Sequence, residues 1–149
     1  LRTLMESLEE QGHIYFDSNR MRWAWDLNEI LDPEISDDIV ALLIKEMRML
    51  PDDLQLCLKI VSCIGSFVND SVLDILSSNV DANLPRLLRQ VSQKGFMSRI
   101  DGAVSRFSFV HDKIQQAARE LMPEQERLHL HMRLGMAICS HVFDTVGYD

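Results

Sequence analysis

Between residues 36 and 93 the apolar positions recur every three or four residues. Ile39, Val40, Leu43, Ile44 and Met47 follow Ser36 at that spacing, which predicts a capped amphipathic helix. It ends near Leu50, because Pro51 disfavours helical geometry in the residue before it. Pro51 is equally a good first residue for the next helix. There Leu54, Cys57, Leu58, Val61 and Ile64 form one apolar face, and Leu56, Ile60 and Cys63 widen it, so this helix is expected at the centre of a core, stopping at Gly65. Two more helices are predicted over 71–78 and 83–93, the second on Leu84, Leu87, Leu88 and Val91.

Ahead of this block, Leu1, Leu4, Met5 and Leu8 predict a short helix from Leu1 to Gln11 with Gly12 as its stop. Ile14 to Phe16 and Met21 to Trp25 flank the turn-rich Asp17-Ser18-Asn19-Arg20, the pattern of a hairpin. Asp26 to Leu31 predicts a turn or two of helix before Asp32-Pro33. Beyond Gly95, Phe96 to Ile100 and Val104 to Phe109 are joined by Asp101-Gly102, a strong signal for a tight hairpin because Gly accepts positive φ freely. Three helices followed by a hairpin is the order of a winged helix. Helices over 111–121 and 124–144 complete a mainly α chain and suggest the start of an α-helical hairpin array.

The tract from Phe107 to Ala118 changes period midway. Phe107 and Phe109 alternate as in a strand, whereas Ile114, Ala117, Ala118 and Leu121 have helical spacing, which leaves His111-Asp112 at the junction. Asp112 is expected to cap the helix, and the junction can aim the imidazole of His111 at a ligand. Two readings fit that position: His111 satisfies a local carbonyl, or it donates to an anionic group bound by another domain.

Composition narrows the function classes. The 149 residues are 46% hydrophobic and 26% charged, enough for a real core, and no apolar run approaches the length of a membrane helix. No signal peptide is apparent, and the start at Leu1 suggests a piece of a longer, cytoplasmic protein. Cys57, Cys63 and Cys139 are odd in number and widely spaced, which reads as buried thiols in a reducing compartment. A net charge of −8 argues against a surface built throughout for nucleic acid or anionic lipid. One local face stands apart: Arg86, Arg89, Lys94, Arg99 and Arg106 against Asp101 alone between residues 84 and 106, the alternative being a DNA-binding winged helix that meets phosphates there.

Other chemistry is poorly supplied. His129 and His131 lie two apart, on opposite sides of a helix, and with His111 and His141 they complete no ligand set, so no metal is expected. Burial of Cys57 and Cys63 argues against nucleophilic use, and no glycine-rich phosphate loop occurs, leaving the fragment without a reaction centre. Trp23 and Trp25 share one side of their strand and are expected to anchor the hairpin on a neighbouring helix; a stacking platform is the other reading.

Several of these segments together resemble a known family. Trp23-Ala24-Trp25-Asp26-Leu27, Leu50-Pro51 with Gln55, Ser62-Cys63-Ile64-Gly65 with Phe67, the run Phe109 to Ala118, Pro123-Glu124 and Arg127-Leu128-His129-Leu130 are similar to signalling proteins carrying a STAND-type AAA ATPase module. The nearest pattern is that of hybrid kinases, in which a serine/threonine-kinase-like domain precedes the ATPase and a histidine-kinase part follows. The resemblance implies that 1–50 is the end of the ATPase lid with its hairpin, 51–110 a winged-helix domain and 111–149 the first helices of a sensor region. It implies no cofactor in this fragment, but ATP or ADP with magnesium in the parent. Implied partners are the intramolecular nucleotide-binding domain, flanking kinase domains, and proteins met through the C-terminal helices, without membrane and with nucleic acid disfavoured. By the same resemblance His111 is the nucleotide-sensing residue, contacting the β-phosphate of ADP. Val110 stands where the family commonly has Met, and Arg119 where an aromatic is common.

Overall fold

The computed structural model describes residues 2–10, 12–25 and 33–146. Among them seven helices and two small antiparallel sheets make a mainly α chain. Helix α1, Arg2–Glu10, stops where Gly12 takes φ +77°, a left-handed turn that lets the Gly12 and His13 amides donate to Glu9 and Leu8 carbonyls at 3.0 and 2.9 Å. Strands β1, Ile14–Asp17, and β2, Arg22–Trp25, then pair with Ile14 opposite Trp25 and Phe16 opposite Trp23. Asp17 closes the turn by accepting from the Asn19 and Arg20 amides.

The expected anchoring role of the tryptophans does not hold. Trp23 and Trp25 are 48% and 55% exposed, and Trp23 meets Phe16 edge-on at 5.6 Å, while the buried Ile14 and Leu8 join hairpin and α1 to the core. The expected helical turn over Asp26 to Leu31 lies outside the described residues. Helix α2, Pro33–Arg48, begins three residues ahead of the expected Ser36 start, since proline's fixed φ suits a first helical position.

Helix α3, Asp52–Ile64, buries Leu54, Cys57, Leu58, Ile60, Val61 and Cys63, side chains on most of its circumference. Its buried Ser62 hydroxyl donates to the Lys59 carbonyl at 2.8 Å, so no polar group is left orphaned there. The join from α2 is secured by Gln55, whose Nε2 donates to the Arg48 and Leu50 carbonyls at 3.1 and 2.8 Å. These carbonyls lie past the end of the helical ladder, where Pro51 brings no amide of its own.

After α3 comes a strand that periodicity missed, β3, Phe67–Asn69. Asn69 also accepts from the Val72 amide, capping α4, Asp70–Val80, and Asn83 does the same for Arg86 in α5, Leu84–Gln93. The sheet is completed by β4, Met97–Ile100, and β5, Arg106–Phe109, in the order β3-β5-β4. Val68 pairs with Phe107, and both are buried against the helices.

The tight Asp-Gly turn expected between β4 and β5 is not formed. Ile100 pairs with Arg106, so residues 101–105 make a wider loop, and Gly102 is not among the glycines with positive φ. Asp101 instead accepts from Arg99 Nε at 2.8 Å and Ser105 Oγ at 3.4 Å, bonds that a two-residue turn would leave unmade. Helices α6, Asp112–Glu120, and α7, Glu124–Val146, close the fold. α6 packs on α2 and α3, and α7 on α3 and α4, so one apolar cluster runs from Leu8 to Leu134.

Removing the Gln55 donor should lower unfolding free energy by about 1–2 kcal/mol, read from urea denaturation. Gln55→Glu, equal in shape but unable to donate, should lose as much as Gln55→Ala; an unchanged midpoint in both would refute this role.

Candidate functional site

The junction between β5 and α6 is pinned on both sides. The Phe109 amide donates to the Ser66 carbonyl at 3.0 Å and the Val110 amide to the Phe96 carbonyl at 3.2 Å. His111 follows in extended geometry, φ −152° and ψ 150°, and its carbonyl accepts from the Ile114 and Gln115 amides. Ile114, Ala117 and Ala118 face the core, and the two alanines let α6 approach α2 and α3 closely.

The cap expected of Asp112 is made by His111. Its Nδ1 accepts from the Lys113 amide at 3.1 Å, and Asp112 is the first helical residue, its carboxylate beside the positive end of the helix dipole. A ring nitrogen that accepts carries no proton, which assigns the neutral tautomer with hydrogen on Nε2. His111 is exposed, so that N–H is a donor available to an anion. Cap and candidate donor are opposite sides of one ring.

Outward from the junction, Asp112, Gln115, Gln116, Arg119 and Glu120 of α6 line a groove of about 510 Å³ with Arg127 of α7. Gln116 links Lys113 to Glu120, accepting at 3.1 Å and donating at 3.0 Å. The paired glutamines therefore belong to a polar outer face, while the alanines after them serve packing. Arg127 reaches this groove because α6 and α7 both pack on α3, a placement that spacing along the chain does not show.

The five basic residues of the alternative DNA face are unequal. Arg86 and Arg89 are exposed on α5, and Lys94 is exposed at its C-terminal end. Arg99 is held by Asp101 at 2.8 Å and Asp70 at 3.4 Å, with its guanidinium 5.2 Å from the Phe107 ring centre. Its hydrogen bond holds the Asp101 carboxyl below the usual carboxylate range. Arg106 lies 5.2 Å over the Phe67 ring. Asp70 is remote in sequence from the basic stretch, so a count along the chain missed it.

Burial, with Asp53 adding to it, pushes the Cys57 thiol up to about 12, and burial raises Cys63 against the lowering effect of Arg119 and Arg127. Cys139, expected to be buried, is exposed, because it lies on the side of α7 turned away from the core. His129 places Nδ1 3.2 Å from the Gln125 carbonyl oxygen, and among the described residues no group of three His, Cys, Asp or Glu could hold a metal ion. No helix among them is long and apolar enough to cross a membrane.

Comparison with known proteins adds one likeness. The chain is 22% identical, over 88% of its length, to Hybrid signal transduction histidine kinase G of Dictyostelium discoideum, and it spans only 5% of that protein. No family model matches the chain, and no solved structure matches it.

Replacing His111 by Ala should cost about 1 kcal/mol in unfolding free energy through the lost cap. His111→Asn should recover most of it in the same denaturation experiment. Equal stability of wild type and His111→Ala would show that the imidazole does not cap α6.

Proposed function

We propose that this chain is a regulatory, non-catalytic part of a cytoplasmic signalling protein of the STAND-like ATPase and hybrid-kinase kind. Residues 51–110 act as a winged helix, 1–50 as the end of the ATPase lid, and 111–149 as the first helices of a sensor region. The strand order β3-β5-β4 with α3, α4 and α5 favours the winged helix, because the added β3 supplies its third strand. The likeness to a signalling histidine kinase along most of the chain supports the setting.

The observation that carries the reading is the hydrogen bond from the Lys113 amide to His111 Nδ1, on a ring that is otherwise exposed. With Nδ1 occupied by the Lys113 amide, Nε2–H is a fixed donor for the β-phosphate of ADP held by a neighbouring nucleotide-binding domain. The residues present fit one phosphate contact, not a nucleotide pocket. When bound next door, ADP supplies the anion and this chain supplies the donor and its rigid mounting. Contact favours docking of the winged helix on the ATPase core, and exchange for ATP with magnesium releases it. One charge-assisted hydrogen bond is worth about 1.5–3 kcal/mol, which shifts a two-state equilibrium roughly ten- to a hundredfold.

His111→Asp separates sensing from folding, because a carboxylate still accepts from the Lys113 amide but repels phosphate. In the full-length protein this variant should keep its melting temperature and release ADP about ten- to a hundredfold faster. Unchanged ADP retention would remove the reading.

A further inference from the structure

Ion pairs in this acidic chain set cation beside carboxylate, Lys59 with Glu126 at 3.2 Å and Arg99 with Asp101 and Asp70. Arg119, in the last turn of α6, and the half-buried Arg127, which closes the first turn of α7, are left without one. Both line the α6–α7 groove, yet among the described residues neither makes an ion pair or a side-chain hydrogen bond. Burial raises the Cys63 thiol and both guanidiniums act to lower it, so the two cations, one from each helix, lie in electrostatic reach of a single sulfur. Like charges brought together repel, and an anion between them removes that cost. The groove's own carboxylates do not serve. Glu120 accepts from Gln116 at 3.0 Å, and Asp112 stands at the other end of α6, about 10 Å of helix axis from Arg119. Gln115, one turn before Arg119 on the same face, makes no side-chain hydrogen bond among the described residues, which leaves its amide available.

We propose that Arg119, Arg127 and Gln115 form a site for a phosphate group, either free or carried on a phosphorylated side chain. Two guanidiniums from separate helices suit a dianion with three terminal oxygens, because each takes oxygens in its own fork and the Gln115 amide donates to what remains. A carboxylate has one charge and two oxygens, which a single arginine satisfies alone. The groove, about 510 Å³, has room for the group and for the chain that bears it. Its place is distinct from the sensor junction: Arg119 lies about 12 Å beyond His111 along α6, and the site stands whether or not His111 meets a nucleotide. Occupancy has a structural consequence. α6 and α7 are held together through α3, so a phosphate bridging Arg119 and Arg127 adds a direct tie between them.

Nitrogen–proton NMR of the labelled chain, titrated with inorganic phosphate at constant ionic strength, should show saturable shifts of the Arg119 and Arg127 Nε–H and Gln115 side-chain amide signals. A dissociation constant of about 1–10 mM is expected for so small and open a site. Acetate over the same range should not saturate. Arg119→Gln and Arg127→Gln should each weaken phosphate binding about tenfold or more with an unchanged circular dichroism spectrum, whereas Arg86→Gln, the same charge change on α5, should have no effect. A short peptide containing phosphoserine separates the two sources: tighter binding than inorganic phosphate assigns a phosphorylated side chain, weaker binding the free ion. His111→Asn should leave the titration unaltered. Loss of binding in that variant would move the phosphate to the sensor junction, overturning this site while supporting the nucleotide reading. Absence of saturation, an equal response to acetate, or an equal loss in Arg86→Gln would each overturn the proposal.

Discussion

The fold from β3 onward is referred to the burial of α3. Cys57, Leu58, Ile60 and Val61 are fully buried, and α5, α6, α7 and β3 all pack against this helix. Each aliphatic side chain sealed in this way contributes about 1.5–3 kcal/mol relative to exposure, so a helix apolar around most of its circumference gathers its neighbours. The cost is that every polar group on it must find a partner locally, as Ser62 does on the Lys59 carbonyl.

That constraint carries through to the junction. Because α6 lies on α2 and α3 through Ile114, Ala117 and Ala118, its first turn cannot drift, and because β5 is held between β3 and β4, the residue before that turn cannot either. His111 is placed by both elements while remaining exposed. A histidine in such a place has two chemically distinct nitrogens, and the fold uses one. A capping Ser or Asp would serve α6 as well, yet neither could hold an N–H donor aimed outward on the same side chain.

How much of this was legible in the sequence depends on length and on distance along the chain. Helices with a full apolar stripe, α3 and α5 above all, stood out because several turns repeat the same pattern. β3 was illegible, since three residues cannot display a period and Asn69 reads as a cap. Asp101-Gly102 misled because the competing interaction, Arg99 with Asp101 and Asp70, depends on a residue 29 positions from Arg99 in the chain. The His-Asp pair was visible as a junction, but which of the two caps the helix depends on ψ and ring orientation, which spacing does not encode. Cys139 and the tryptophans were misplaced for a shared reason: apolar character predicts burial only where the chain has a surface left to cover it.

The central claim is that one imidazole caps α6 with Nδ1 and keeps its proton on Nε2. Nitrogen NMR of the labelled histidine side chains, under mildly alkaline conditions and assigned by comparison with His111→Asn, reads this directly. The account predicts that His111 shows a protonated Nε2 and an unprotonated, hydrogen-bonded Nδ1. A proton on Nδ1 would contradict it, since that nitrogen could not accept from the Lys113 amide.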